Sequence, residues 1–284
     1  MNSAAIPTTP ATRITRRFDS LRREGQMGLV AFLTAGDPSL AATEKLVLAL
    51  AEAGADVIEL GVPFSDPVAD GPAIQRSSER ALRAGTTLSG VLDLVASLRR
   101  KTDVALVLFS YYNPVLQMGL TEFAKRAAAA GADGALITDL TPEEAGEYRR
   151  TMAENGLDTI FLAAPTSPDE RLDHIAKCSS GFLYLISRTG VTGVKDTLPE
   201  DLPALVRRVR RVTSLPIAVG FGISLPGQVS LLGGLADAAV VGSALVEEIE
   251  RAATVESAAA AIGDRIRSLK QAGLAGMSRR EPAP

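Results

Sequence analysis

Three carboxylates stand close together in the run Glu59-Leu60-Gly61-Val62-Pro63-Phe64-Ser65-Asp66-Pro67-Val68-Ala69-Asp70-Gly71-Pro72. The apolar run Asp56-Val57-Ile58 before it reads as a buried strand that delivers Glu59 at its C-terminal end. The loop that follows holds three prolines and two glycines before a helix begins near Ala73. Proline fixes φ and cannot continue a strand, so this loop is stiff, and Asp66 and Asp70 ride on it. A carboxylate on a strand end facing another on a rigid loop is a pattern for general acid/base chemistry. The competing reading makes Asp66 and Asp70 turn formers or N-caps and Glu59 an ordinary ion-pair partner.

Two glycine-rich turns point to a second kind of chemistry. Gly220-Phe221-Gly222-Ile223-Ser224 follows one apolar run, and Gly242-Ser243 follows the next and opens a helix. Glycine lets the backbone approach a ligand, and helix-initial N–H groups favour an anion, so the pair reads as a phosphate site; tight turns are the alternative. Residues 187–198 form a long connection with two glycines, Gly190 and Gly193, and read either as a lid or as a surface loop. Tyr184, on the strand before it, points inward as core filler or site wall.

Other chemistries are closed off by residue counts. His174 is the only histidine and Cys178 the only cysteine. Two potential ligands at i, i+4 are too few for a transition-metal site, so no metal is expected, and no disulfide can form within the chain. A Schiff-base aldolase needs a lysine aimed into its site, yet Lys45, Lys101, Lys125, Lys177, Lys195 and Lys270 all fall outside the predicted strands. If a phosphorylated substrate is cleaved, carboxylates must move the protons, with Glu59 as the leading candidate and Asp70 its partner.

The elements that must hold these groups follow a repeating pattern. An amphipathic helix carrying Ile14, Phe18 and Leu21 precedes the first strand, 29–33. Further strands are predicted at 57–59, 104–109, 134–137, 159–162, 181–186, 216–219 and 238–241. Helices are predicted after each, two of them between the second and third strands, and one from near Ser243 into the charged C-terminal segment. Ala53-Gly54-Ala55-Asp56, Ala130-Gly131-Ala132-Asp133 and Gly234-Leu235-Ala236-Asp237 each mark a helix end and strand entry. Short apolar strands alternating with helices predict a parallel sheet covered by helices, and eight such units predict a single-domain (β/α)8 TIM barrel with an extra N-terminal helix. An open doubly wound sheet is the alternative, and it lacks the glycine-rich G-x-G-x-x-G turn after its first strand.

Residues 12–272 are assigned to the barrel, and 1–11 and 273–284 to disordered tails. Composition suits this: 46% of 284 residues are hydrophobic, but only 4% are aromatic and none is Trp, so the core must be aliphatic. The formal net charge of −3 offers no field for nucleic acid or anionic lipid. The N-terminus lacks a secretory pattern and no apolar run is long enough to span a membrane, so a cytoplasmic protein is expected.

From about Thr12 to Leu269 the chain resembles the tryptophan synthase alpha subunit family. The resemblance is carried by the 59–72 segment, by Ser187-Arg188-Thr189-Gly190-Val191-Thr192-Gly193 and by Gly220-Phe221-Gly222-Ile223-Ser224. It implies a lyase that cleaves indole-3-glycerol phosphate to indole and glyceraldehyde 3-phosphate. Glu59 matches the general acid/base and Asp70 the group that hydrogen-bonds the indole N–H. Phe32, Ile74, Phe109, Leu136, Tyr184 and Phe221 match indole-pocket positions. Gly193, Gly222, Gly242 and Ser243 match phosphate contacts, and Thr192 a lid residue near Asp70. The resemblance also implies no cofactor in this chain, and a pyridoxal-phosphate beta subunit as partner in an α2β2 heterotetramer, faced by the loops that carry Pro63, Asp66 and Asn113. Asp139-Leu140-Thr141-Pro142 departs slightly from the commoner family form, which bears on the interface and not on the chemistry. Two other readings are a different phosphate-binding barrel, isomerase or flavin-dependent, and a barrel kept mainly to activate a partner.

Overall fold

Alternation along the strands sorts the apolar residues into two cores, and that sorting closes the sheet. In the computed structural model, which describes residues 11–187, 198–220 and 222–277, the strands are β1 (Gly28–Thr34), β2 (Val57–Gly61), β3 (Ala105–Ser110), β4 (Gly134–Ile137), β5 (Asp158–Ile160), β6 (Leu162–Ala163), β7 (Leu183–Ile186), β8 (Ile217–Gly220) and β9 (Ala238–Val241). All pairings are parallel, in the order β5-β4-β3-β2-β1-β9-β8-β7-β6. The two ends of that order, β5 and β6, are halves of the predicted fifth strand, split at Phe161. One half pairs with β4 and the other with β7, so the sheet runs into itself as a barrel of eight staves.

Val30, Val57, Val107, Leu136, Ile160, Ala218 and Val240 point inward, while Ala31, Ile58, Leu106, Ala135, Phe161, Val219 and Val241 point out to the helices. The floor of the barrel is α1 (Arg13–Glu24), which places Ile14, Phe18 and Leu21 among the inward residues, Phe18 lying 5.8 Å from the ring of Phe182. Its N-cap Thr12 and αL Gly25 fix where it starts and stops. The outer layer comprises α2 (Leu40–Glu52), α3 (Pro72–Arg83), α4 (Leu88–Arg99), α5 (Tyr112–Met118), α6 (Leu120–Ala130), α7 (Gly146–Glu154), α8 (Asp169–Cys178), α9 (Leu202–Arg210), α10 (Pro226–Leu232), α11 (Ser243–Arg251) and α12 (Val255–Met277).

Three sequence expectations are corrected here. Glu59 does not end its strand: β2 continues through Leu60 and Gly61, paired to Leu108 and Phe109, and Glu59 is central. Asn113 lies on a helix, α5, whose first amide is capped across the barrel mouth by Asp139 Oδ1 at 2.7 Å from Tyr112 N. The single C-terminal helix is two, broken between Arg251 and Val255. α12 runs on past residue 272, to Met277. Gly273 and Gly276 bring that helix against α10, where a methyl on Gly276 would meet the Ser230 carbonyl at 2.3 Å.

The recurrent Gly-x-Asp and Gly-x-x-Asp phrases have a second use. Gly54, Gly131 and Gly234 each take positive φ, and the aspartate that follows reaches back to the neighbouring strand. Asp56 accepts from Leu29 N at 2.6 Å, Asp133 from Leu106 N at 2.8 Å and Asp237 from Ile217 N at 2.8 Å. Cations close each staple: Arg17 and Lys270 on Asp56, Arg13 and Arg99 on Asp133, Arg210 on Asp237. The end of the barrel where the strands begin is therefore held by charge, away from any reaction. Replacing Asp133, 3% exposed, by Ala removes the acceptor of two amides, Arg13 N and Leu106 N, and a partner of both Arg13 and Arg99, and is expected to cost about 3–5 kcal/mol. Urea unfolding checks this; an unchanged midpoint would remove the staple from the stability argument, and kcat per folded molecule should not move.

Candidate active site

Because Glu59 shares the parity of Val57, its side chain enters the barrel, level with Phe32 on β1 and Val107 on β3. It is 1% exposed, and among the described residues its Oε1 finds no partner. Burial without compensation pushes the carboxyl up to about 8, so at neutral pH Glu59 holds its proton. Tyr184 enters from β7, its own ionisation suppressed by burial and by the charge Glu59 would carry. Room for these rings is made by missing side chains. A methyl on Gly220 would stand 2.3 Å from the Tyr184 hydroxyl, and one on Gly61 2.6 Å from Phe32 Cζ.

Asp70 reaches the same cavity from the loop after β2, half-buried, and burial pushes it up to about 6 against a hydrogen bond from Tyr111 that pulls it down. Tyr111 also accepts from Ala69 N at 2.9 Å and packs against Phe64, ring centres 5.2 Å apart. The loop is thus held by a buried tyrosine from the end of β3 as well as by its prolines. Sequence reasoning missed Tyr111; the aromatic pair directly after the third strand was the available signal.

These groups meet in one cavity of about 210 Å³. Its apolar walls include Phe32 and Phe109, packed edge to face at 5.1 Å, with Ile74 and Tyr184. Its polar lining includes Gly222, Ser224, Gly242 and Ser243, all within turns singled out from the sequence, and Thr138, which was not. At the start of α11 the Gly242 carbonyl accepts from Leu245 and Val246, and among the described residues no side chain caps the helix. Ser243 and Ala244 line the cavity at the N-terminal, positive end of α11, a placement that suits an anion.

Leu136 stands in the barrel interior, fully buried, and does not line the cavity. Asp66 is exposed and outside it, Asn113 is exposed on α5, and Pro63 is buried. Thr192, Gly193 and Phe221 lie outside the described residues, as do residues 188–197 of the long connection. Cys178 Sγ is 3.9 Å from His174 Nε2. Among the described residues no group of three His, Cys, Asp or Glu side chains is placed to hold a metal.

The family model described as Tryptophan synthase alpha chain matches residues 18–273. The chain belongs to the tryptophan synthase alpha chain family. The tryptophan synthase alpha chain of Solibacter usitatus is 55% identical over 248 residues, covering 87% of this chain and 92% of that one. That of Citrifermentans bemidjiense is 51% identical over 265 residues, covering 93% and 99%. Among solved structures, a chain of Mycobacterium tuberculosis tryptophan synthase superposes with TM-score 0.85 at 37% identity, covering 93% of this chain and 99% of that one. The tryptophan synthase alpha subunit of Legionella pneumophila gives 0.83 at 36%, covering 92% and 98%.

A carboxyl whose pKa rises on folding binds its proton more tightly in the folded than in the unfolded chain. It therefore subtracts stability as pH climbs from the ordinary carboxylate range to about 8. Glu59→Gln removes that dependence. The variant should gain on the parent by up to roughly 1.4 kcal/mol per pH unit across this window, read by urea unfolding at pH 5, 6, 7 and 8. A difference that stays flat with pH would mean that Glu59 is not held neutral by burial.

Proposed function

We propose that Glu59 and Asp70 together cleave indole-3-glycerol phosphate in this cavity, Glu59 as general acid/base and Asp70 as the anion that steadies the indole ring. The activity is that of the family: a carbon–carbon lyase releasing indole and glyceraldehyde 3-phosphate in L-tryptophan biosynthesis. The observation that carries the division of labour is that one carboxyl is fully buried and unpaired while the other is half-buried, tyrosine-bound and in the same cavity. At pH 7 their environments leave Glu59 protonated and Asp70 ionised.

Glu59 gives its proton to indole C3, which turns the ring into an indolenine cation. The pair of electrons in the bond from C3 to the glycerol side chain then flows into the ring and neutralises it, while the adjacent hydroxyl becomes the aldehyde. The hydroxyl proton returns to the Glu59 carboxylate, so the enzyme ends as it began. Asp70 accepts the indole N–H and offsets the charge that develops there. Phe32, Ile74, Phe109 and Tyr184 enclose the ring, with Phe221 a further wall. Gly222, Gly242, Ser243 and Gly193 bind the phosphate, and Thr192 closes over Asp70. Leu136 supports the pocket from the interior layer behind Phe109, its register partner.

The family implies a beta-subunit partner and is consistent with a chain that carries no cofactor of its own. The proposed partner holds pyridoxal phosphate, receives the indole and assembles with this chain as α2β2 in the cytoplasm. Its docking face is the rim that carries Pro63, Asp66 and Asn113, where Val68 is 86% and Leu116 54% exposed. Among the described residues no helix is long and apolar enough to cross a membrane.

Glu59→Gln, folded by circular dichroism, should lose at least about a hundredfold in indole release, the usual worth of a general acid; retained turnover would reassign the proton donor. Asp70→Asn should lower kcat while inorganic phosphate inhibits as before. The kcat/KM profile should rise as Asp70 ionises near 6 and fall as Glu59 ionises near 8. A profile flat across that range would separate these groups from the chemistry.

A further inference from the structure

The loop between β8 and α10 is held by two side chains that do not line the cavity. Gln228, 2% exposed, accepts from Ser224 N at 2.8 Å and Leu225 N at 2.9 Å through one oxygen, and donates its amide to the Gly222 carbonyl at 3.3 Å. From α12, Arg265 donates to the Ser224 carbonyl at 2.8 Å and is paired with Glu248 of α11. Four backbone groups of residues 222–225 are thereby occupied from the side away from the ligand. Among the described residues nothing accepts from the amides of Gly222 or Ile223, both of which line the cavity beside Ser243 and Ala244. Ser224 Oγ is buried there without a partner.

We propose that Gln228 and Arg265 are positioning residues for phosphate binding, holding residues 222–225 so that their free amides converge with those opening α11. The inference rests on the reading that this loop and α11 receive the substrate phosphate. Arg265 is suited to the task because its fork spans two elements: it bonds the loop with one nitrogen and, through Glu248, ties that loop to the helix supplying the other amides. Gln228 is suited because a single amide group supplies both the acceptor and the donor that the turn requires. Loosened, the loop would still exist, but its amides would have to be ordered by the ligand at each encounter.

The test compares the parent with Gln228→Met, which keeps volume but has no amide, and with Arg265→Ala and Arg265→Lys. Each is assayed for KM and kcat with indole-3-glycerol phosphate, for inhibition by inorganic phosphate, and for thermal melting. Gln228→Met and Arg265→Ala should each raise KM and the phosphate inhibition constant by about tenfold, the size of one or two lost hydrogen bonds, while kcat changes by less than about threefold. Arg265→Lys should recover part of the loss. Unchanged phosphate inhibition, or a fall in kcat at constant KM, overturns the proposal. Should Gln228→Met fail to fold, Arg265, at 30% side-chain exposure, decides the matter alone. Phosphate that does not inhibit the parent at all would overturn both this inference and the phosphate site beneath it.

Discussion

Sealing an acid inside a closed sheet and leaving one of its oxygens without a partner costs stability at every neutral pH. Glu59 is held in that condition by the geometry of the barrel. It cannot turn outward without sending Ile58 and Leu60 inward, because side chains alternate along a strand and β2 is paired on both sides. The penalty is what makes the group useful. A carboxyl that keeps its proton at pH 7 can protonate carbon, and one in water cannot. Asp70, by contrast, is less deeply buried, and the tyrosine hydroxyl bound to it opposes the rise that burial causes, so it ionises near 6.

The rest of the molecule keeps that arrangement affordable by dividing labour between its ends. Where the strands begin, aspartates staple neighbouring strands and α1 fills the floor with Ile14, Phe18 and Leu21. Stability is concentrated there, in buried ion pairs and apolar contact. Where the strands end, backbone amides are left free, an acid is left unpaired, and glycines replace side chains that would fill the space. Gln228 and Arg265 then act as a framework behind the free amides. A site built from backbone needs such support, since an amide has no rotamer of its own to be locked by packing.

Much of this was readable from the residues. The alternation of apolar runs with helices announces a parallel barrel, and most of the eight strand segments are bounded by glycine or proline. Glu59, Asp70 and the Gly242-Ser243 turn stood out because their types are unusual at the ends of apolar strands. The helix α5 was missed because its seven residues open on the second of two adjacent aromatics and contain Pro114, a poor helical pattern. The break between α11 and α12 was missed because Ala252-Ala253-Thr254 reads as helix by propensity, and only packing turns the chain there.

The sequence by itself determined the fold class, the acids available, and the absence of any histidine or lysine machinery to compete with them, because these depend on residue identity and local periodicity. Tertiary structure decided the rest. Tyr111 meets Asp70 across 41 positions of chain, Arg265 meets Ser224 across 41, and Glu59 becomes an acid only because eight staves close around it. Distance between residues far apart in the chain, and the exclusion of water, exist only once the sheet has closed.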